Sequence, residues 1–364
     1  PIVGNNLHTS LDLKSHQAAH KALNNRKGAV VAIDIKDGSI VTLFSSPTFP
    51  TNQLANGILQ KDFDELLLSE EKPFFNRALK GRYPPASAIK PAIAMYGIEE
   101  GLIDWNFSIF DEGFFTLPED GRIYRDWKEG GHGNTNLFKA ITQSSNTYFF
   151  DLAYRSDINQ LNKHLLSLGF GDKACIDCFE EDKAFVPEPS WKMNKHNFGW
   201  FKGDTVNMGV GQGYLVSTPV QLAKYAYIMA NKGKFSDLSL KKDLVKSEKS
   251  IEFNKFSNDD WFKLHESMIN VIEGNTGTAR RLREKKNYIV AAKTGTAELV
   301  SGDNREQYSE TRLDDNLRDH ALIIAFGPMP NPRYAVSVVV ENGESGGSVA
   351  GPVAISVLNS LIQE

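Results

Sequence analysis

Cysteine is nearly absent from this chain: only Cys175 and Cys178 occur, as a lone Cys-x-x-Cys. A zinc ribbon needs a second such pair and is excluded. A thioredoxin-like redox site would want a strand before the pair and a helix after it. Here Gly169-Phe170-Gly171 precedes and Glu180-Glu181-Asp182 follows, so the segment reads as loop. The pair is expected to be structural, a disulfide where the compartment is oxidising. Also missing is any apolar run approaching the roughly 20 residues of a membrane span, and no signal-peptide pattern opens the chain. Pro1-Ile2-Val3-Gly4-Asn5-Asn6 is expected to be the ragged start of an excised fragment, with any targeting or anchoring segment upstream. There is no excess of positive charge: 41 Lys and Arg face 45 Asp and Glu, a net charge of -4, which leaves no basic footprint for nucleic acid. Internal repeats and low-complexity tracts are absent too.

What is there is an ordinary globular composition, 41% hydrophobic and 24% charged over 364 residues, enough for a substantial core in one or two lobes. Asp12 to Asn24 reads as a helix. Ala29–Asp34 and Ile40–Phe44 are β-rich runs around Asp37-Gly38, which predicts a hairpin. Pro84-Pro85 stops the chain, and a largely apolar helix runs from Ser87 to Ile98. Pro91 is tolerated only near its first turn, which puts Ser87 and Lys90 at the helix start. Further helices are expected at about 136–155 and 158–168, and after Thr218-Pro219-Val220-Gln221, a capping box with Pro at the first helical position. Strand-like runs return at 288–293, 320–326 and 334–340, and a last helix covers about 349–362. Strands at both ends with helices between predict an α/β (α+β) chain, one sheet assembled from distant segments with a helical lobe inserted at about 91–285.

Three short motifs carry chemistry. In Ser87-Ala88-Ile89-Lys90, positions i and i+3 share a helix face about 5–6 Å apart. A serine hydroxyl attacks well only when a base takes its proton. A lysine is such a base only if burial, nearby cations or the helix dipole lower its pKa. Alone, this pattern recurs by chance on many solvated helices. In Ser144-Ser145-Asn146, a hydroxyl and an amide two residues apart in a loop can enter one cleft, the serine relaying a proton and the amide holding a carbonyl; a turn or helix cap would look the same. In Lys293-Thr294-Gly295-Thr296, a strand edge can pair with an extended peptide, Lys293 adds charge for a carboxylate, and Gly295 lets a substrate or side chain approach. The Thr296 and Ser87 N–H groups can form an oxyanion hole.

The three motifs in this order resemble the set of penicillin-binding proteins and class A β-lactamases. Arg82–Pro91 closely resembles the nucleophile segment of class B penicillin-binding proteins, and Gly203–Tyr214 with Thr218-Pro219 resembles their Gly-Gln-Gly segment. Tyr124–Lys128 and Leu317–His320 narrow the likeness to the elongation branch of rod-shaped Gram-negative bacteria. The resemblance covers about residues 7 to 361. It implies a five-stranded antiparallel sheet flanked by helices plus an all-helical lobe, and cross-linking of peptidoglycan stem peptides through a Ser87 acyl-enzyme that β-lactams would also form. The implied roles are Ser87, Lys90 and Ser144 catalytic, and Asn146, Lys293, Thr294, Gly295 and Thr296 substrate-binding. Implied partners are a glycosyltransferase and scaffold proteins of the rod complex; the implied location is the periplasmic face of the inner membrane, reached by a membrane anchor and pedestal domain outside this sequence. A D,D-carboxypeptidase, a β-lactamase and a non-catalytic β-lactam sensor share the motifs and stay open. No cofactor is expected for catalysis. Some close relatives hold a zinc ion with two aspartates, a histidine and a cysteine; here Asp111, Asp126 and His132 match, but the cysteine position is Ser145, a poor zinc ligand. Gly209-Val210-Gly211-Gln212-Gly213 follows no clear strand and has no P-loop lysine, so it is read as a close-packed segment at the active-site floor.

Overall fold

A computed structural model describes residues 4–299 and 317–362; the first three residues of the Pro1–Asn6 segment lie outside it. Five strands form one antiparallel sheet: β1 (Gly28–Asp34), β2 (Ser39–Ser46), β3 (Ala291–Ala297), β4 (His320–Gly327) and β5 (Tyr334–Val340), in the spatial order β2-β1-β5-β4-β3. The N-terminal hairpin thus pairs with the last strand, and β3 is left as an edge. Both faces are covered, which is why the strands read as continuous apolar runs rather than alternating ones. Val30, Ala32, Ile323, Ala325, Val336 and Val338 pack under the helices α1 (Leu13–Leu23) and α7 (Gly351–Ile362). Val31, Ile33, Leu322, Ile324 and Val339 face the central core with Ile89, Ile93 and Tyr225.

The remaining helices that matter for the site are α2 (Lys90–Glu99), α3 (Leu137–Gln143), α4 (Asn146–Arg155), α5 (Pro219–Ala230) and α6 (Asn258–Glu273). Helix α5 begins with the expected capping box, Thr218 and Gln221 each accepting the other's backbone N–H, and lies against β1 and β5. The inserted region is mainly helical but not all-helical: Ser108–Asp111 pairs with Gly133–Asn136, Phe114–Thr116 with Ile123–Arg125, and Lys234–Ser236 with Glu248–Ser250. These ladders are three or four residues long, too short to give a periodic signal. Two other expectations change. The helix expected at 136–155 is two helices, because Ser144 sits in the left-handed region, φ 60 and ψ 38. And α6, a 16-residue helix over β3 and α3, has no counterpart in the sequence reading, although Ser257 and Asp260 form a capping box at its start and Trp261, Leu264, Met268 and Val271 follow at helical spacing. Cys175 and Cys178 are joined in a disulfide, as expected for a structural pair. Among the described residues no helix is long and apolar enough to cross a membrane.

Candidate active site

Ser87 lies in a short 3-10 turn, Ala86–Ile89, that leads directly into α2. Pro84-Pro85 fixes the entry, and Ala86 adopts φ 49, a conformation that costs an L-residue roughly 1–2 kcal/mol. The neighbouring backbone holds it there: Ala86 N donates to Gly211 O at 2.9 Å. Gly211 itself has φ +72, and a Cβ on it would stand 2.2 Å from Ala86 O. Only glycine allows this approach, so the Gly-Gln-Gly segment is the floor beneath the nucleophile turn. Gly295 serves the same end from the other side, since a Cβ there would meet Pro85 O at 3.2 Å and Ala88 N at 3.3 Å. The close approach expected at Gly295 is therefore to the chain's own Ser87 segment.

Lys90 and Lys293 are both wholly buried and converge on Ser144. Lys90 Nζ donates to Ser144 O at 2.8 Å, to Ser144 Oγ at 3.3 Å and to Asn146 Oδ1 at 2.7 Å. Lys293 Nζ donates to the same Ser144 Oγ at 2.8 Å. With two N–H groups pointing at its oxygen, the Ser144 hydroxyl has its own hydrogen left to give. The Ser87 hydroxyl has no hydrogen-bond partner among the described residues, so the expected Ser87–Lys90 pair shares a turn without being bonded. Catalytic hydrogen bonds of this kind often close only when substrate is present. Burial pulls Lys90 down to about 7, against the opposing charges of Asp126 and Asp111. Burial, with Lys90 beside it, drives Lys293 well below the ordinary lysine value. Two ammonium groups cannot cheaply share this dry site, so the pair holds an amine able to take a proton near neutral pH.

The break at Ser144 aims both motif side chains. Ser145 caps α4, its Oγ accepting Tyr148 N at 3.2 Å. Asp126 sits at the same helix start, Oδ2 accepting Asn146 N at 2.6 Å and Thr147 N at 3.0 Å, where the helix dipole favours a carboxylate. Burial would raise Asp126, but the His132 bond, the Lys90 charge and the backbone N–H groups hold it at about 2. Asn146 gives its carbonyl oxygen to Lys90, which leaves its amide N–H groups to donate elsewhere. On β3, Thr296 O accepts from Gln212 Nε2 at 3.3 Å on the open edge. A strand residue's N–H and C=O point the same way, so the Thr296 N–H also faces outward, beside the Ser87 turn. Thr294 Oγ1 lies 2.7 Å from Thr278 Oγ1. Gln212, Thr278 and Trp127, whose Nε1 donates to Ser144 O at 3.1 Å, had no assigned role in the sequence. Their contacts join segments 16 to 84 residues apart, which spacing does not reveal.

Asp111, Asp126 and His132 do gather behind Ser144, all buried, with one donor atom each within 4.8 Å of the others. The fourth position does not complete a zinc set. Ser145 offers a neutral hydroxyl that gives its hydrogen to Asp111 Oδ2 at 2.7 Å, where a thiolate would carry charge. His132 is engaged on both sides, Nδ1 with Gln143 Oε1 at 3.0 Å and Nε2 with Asp126 Oδ1 at 3.3 Å. Asp111 Oδ1 accepts Gly113 N at 2.8 Å. The protein's own hydrogen bonds engage these three side chains, and the fourth position offers a hydroxyl where zinc prefers a thiolate.

The comparisons with known proteins show the family. The family model described as the penicillin binding protein transpeptidase domain matches residues 28–359. The chain is similar to the peptidoglycan D,D-transpeptidase MrdA of Acinetobacter baumannii, 40% identical over 96% of this chain and 53% of that protein. It is also similar to MrdA of Escherichia coli, 33% identical over 100% of this chain and 58% of that one. It thus spans somewhat more than half the length of these curated relatives. Among solved structures, PBP2 of Pseudomonas aeruginosa in complex with WCK 5153 superposes with a TM-score of 0.90 at 35% identity, covering 100% of this chain and 80% of that one. PBP2 of Helicobacter pylori in complex with MreC gives 0.89 at 30% identity, covering 100% and 65%. With its fold, its nucleophile turn and a family match over most of its length, this chain belongs to the penicillin-binding protein transpeptidase domain family.

Proposed function

We propose that this chain is the catalytic part of a peptidoglycan D,D-transpeptidase of the elongation machinery. The observation that carries this reading is the convergence of two buried lysines on one serine hydroxyl beside the Ser87 turn, on an open strand edge that suits an extended peptide. Ser87 Oγ attacks the carbonyl between two D-alanines of a donor stem peptide. Its proton passes to the lysine pair, either directly to Lys90 or through Ser144. The N–H groups of Ser87 and Thr296 hold the oxyanion, Asn146 holds the donor amide, and Lys293, Thr294 and Thr296 hold the terminal carboxylate. On collapse the C–N bond breaks, Ser144 hands a proton to the leaving D-alanine amine, and an ester on Ser87 remains. An acceptor amine attacks that ester, the C–Oγ bond breaks, and the amine's proton returns to Ser87. A β-lactam presents the same carbonyl to Ser87, and would stop at the ester because its leaving nitrogen, freed when the ring opens, stays tethered to the acyl group and keeps the acceptor out. Asp111, Asp126, His132 and Ser145 brace the start of α4 and so aim Ser144 and Asn146, with no metal-dependent step.

A fluorescent penicillin should label the chain once, at Ser87, and Ser87→Ala should not be labelled. Stoichiometric labelling of the variant at another residue would overturn the assignment. An adduct lasting hours supports transfer chemistry, whereas release within seconds would point to a β-lactamase. By likeness to the H. pylori PBP2–MreC complex and to a peptidoglycan synthase complex that couples polymerization and crosslinking, the full protein is proposed to work with an MreC-like partner and a peptidoglycan polymerase, at the periplasmic face of the inner membrane where such cross-linking takes place.

A further inference from the structure

The cleft has a second compartment beyond Thr294. It is a cavity of about 270 Å³ walled by Trp127, by the segment Thr276–Arg281 and by Ser345 and Ser348. Two of its walls touch the reacting groups directly. Trp127 donates to the Ser144 carbonyl, and Thr278 shares a hydrogen bond with Thr294. Among the described residues its lining carries two guanidinium groups, Arg280 and Arg281, and no carboxylate. These cations are not absorbed by the fold. Arg281 makes no hydrogen bond or ion pair with any described residue, and Arg280 spends one N–H on Asn275 O. Nearby Arg283 and Lys286, by contrast, both pair with Glu273. An adjoining cavity of about 470 Å³ shares the Arg280–Arg281 wall and adds Arg283 and one carboxylate, Glu284. In a chain of net charge -4, two cations with no ion pair among the described residues, beside a reaction site, are a local feature rather than a bulk one.

Resting on the transpeptidase reading above, we infer that this compartment is the acceptor subsite and takes an acidic peptide whose carboxylate pairs with Arg280 and Arg281. The leaving D-alanine amine departs past Ser144, and its carboxylate lies at Lys293 and Thr294. Acceptor attack is the reverse geometry of that departure, so the incoming amine must occupy the place the leaving amine gave up. The rest of the acceptor then extends into the space beyond Thr294 and Trp127. Guanidinium forks suit carboxylates there. The amine nitrogen bonds to the Ser87 ester carbon, Ser87 Oγ leaves, and the proton passes through Ser144 to Oγ.

The test titrates the unacylated chain, whose leaving-group place is open, with acetyl-Lys-Glu or with acetyl-Lys-Gln amide, each carrying the same side-chain amine. Trp127, half exposed in the cavity wall, reports binding by its fluorescence. The acidic peptide should bind about tenfold more tightly, and the margin should shrink with added salt. In the doubly substituted Arg280→Gln, Arg281→Gln chain the two peptides should bind alike. Equal binding in the unmodified chain, or a preference that survives both substitutions, would overturn the acceptor subsite while leaving the Ser87 chemistry standing. A chain that takes up no penicillin at Ser87 would instead refute the transpeptidase reading, and the subsite with it.

Discussion

Replacing Gly211 by alanine should uncouple nucleophile placement from overall stability. The new Cβ would lie 2.2 Å from Ala86 O and 2.7 Å from Ala86 N, whereas non-bonded contacts settle near 3.5 Å. The Ala86–Ser87 turn must therefore retreat by about 1 Å, and a misplacement of that size costs on the order of 100-fold in rate. The left-handed backbone at Gly211 adds roughly 1–2 kcal/mol of conformational cost. Gly213 supplies the control. It has φ +75, but a Cβ there would meet only Asn207 Cβ at 3.3 Å. Gly213→Ala should lose similar stability while keeping most of the acylation rate. The assay is the second-order rate of fluorescent-penicillin uptake by both variants, with thermal melts alongside. Equal rates in Gly211→Ala and Gly213→Ala would refute the claim that Gly211 sets the position of Ser87.

The acylation rate should rise with pH, reach half its maximum near 7 and level off about one unit higher, as Lys90, held at about 7, loses its proton; a flat profile from pH 5 to 8 would count against a lysine base. Asp126→Asn removes a charge that raises Lys90, so the acidic limb should move to lower pH. The same change should also lower stability, because a carboxyl held at about 2 instead of 3.8 contributes about 2.5 kcal/mol at neutral pH. That contribution is present above about pH 4 and is lost as pH falls through about 2, so melts of the two proteins should converge in strong acid. Protein purified without chelator should carry less than about a tenth of an equivalent of zinc, and Ser145→Cys, which supplies the missing thiolate, should gain the ion; a full equivalent in the unmodified chain would show that the Ser145 hydroxyl suffices. Trp127→Phe removes the donor to Ser144 O and should slow acylation several-fold with little change in melting temperature.

The sequence by itself determined the elements whose signals are local. The hairpin at Asp37-Gly38, the α5 capping box and the two late strands are written in turn chemistry and apolar runs, and the structure places them within a few residues of where they are read. The three motifs identified the site because their residue types are rare in combination. Long-range contacts decided the rest. Whether 136–155 is one helix or two depends on Ser144 taking a left-handed backbone, which Asp126 makes worthwhile by capping the second helix from 20 residues away. That Lys90 meets Ser144 and Asn146 rather than Ser87 follows from burial at the junction of α2, α3 and β3. That Gly211 serves the nucleophile, and not a phosphate, follows from an approach to Ala86 that only the folded chain creates. Local physics fixes which residues can do chemistry; desolvation and close packing, which exist only once the chain has folded, fix which of them face one another and with what charge.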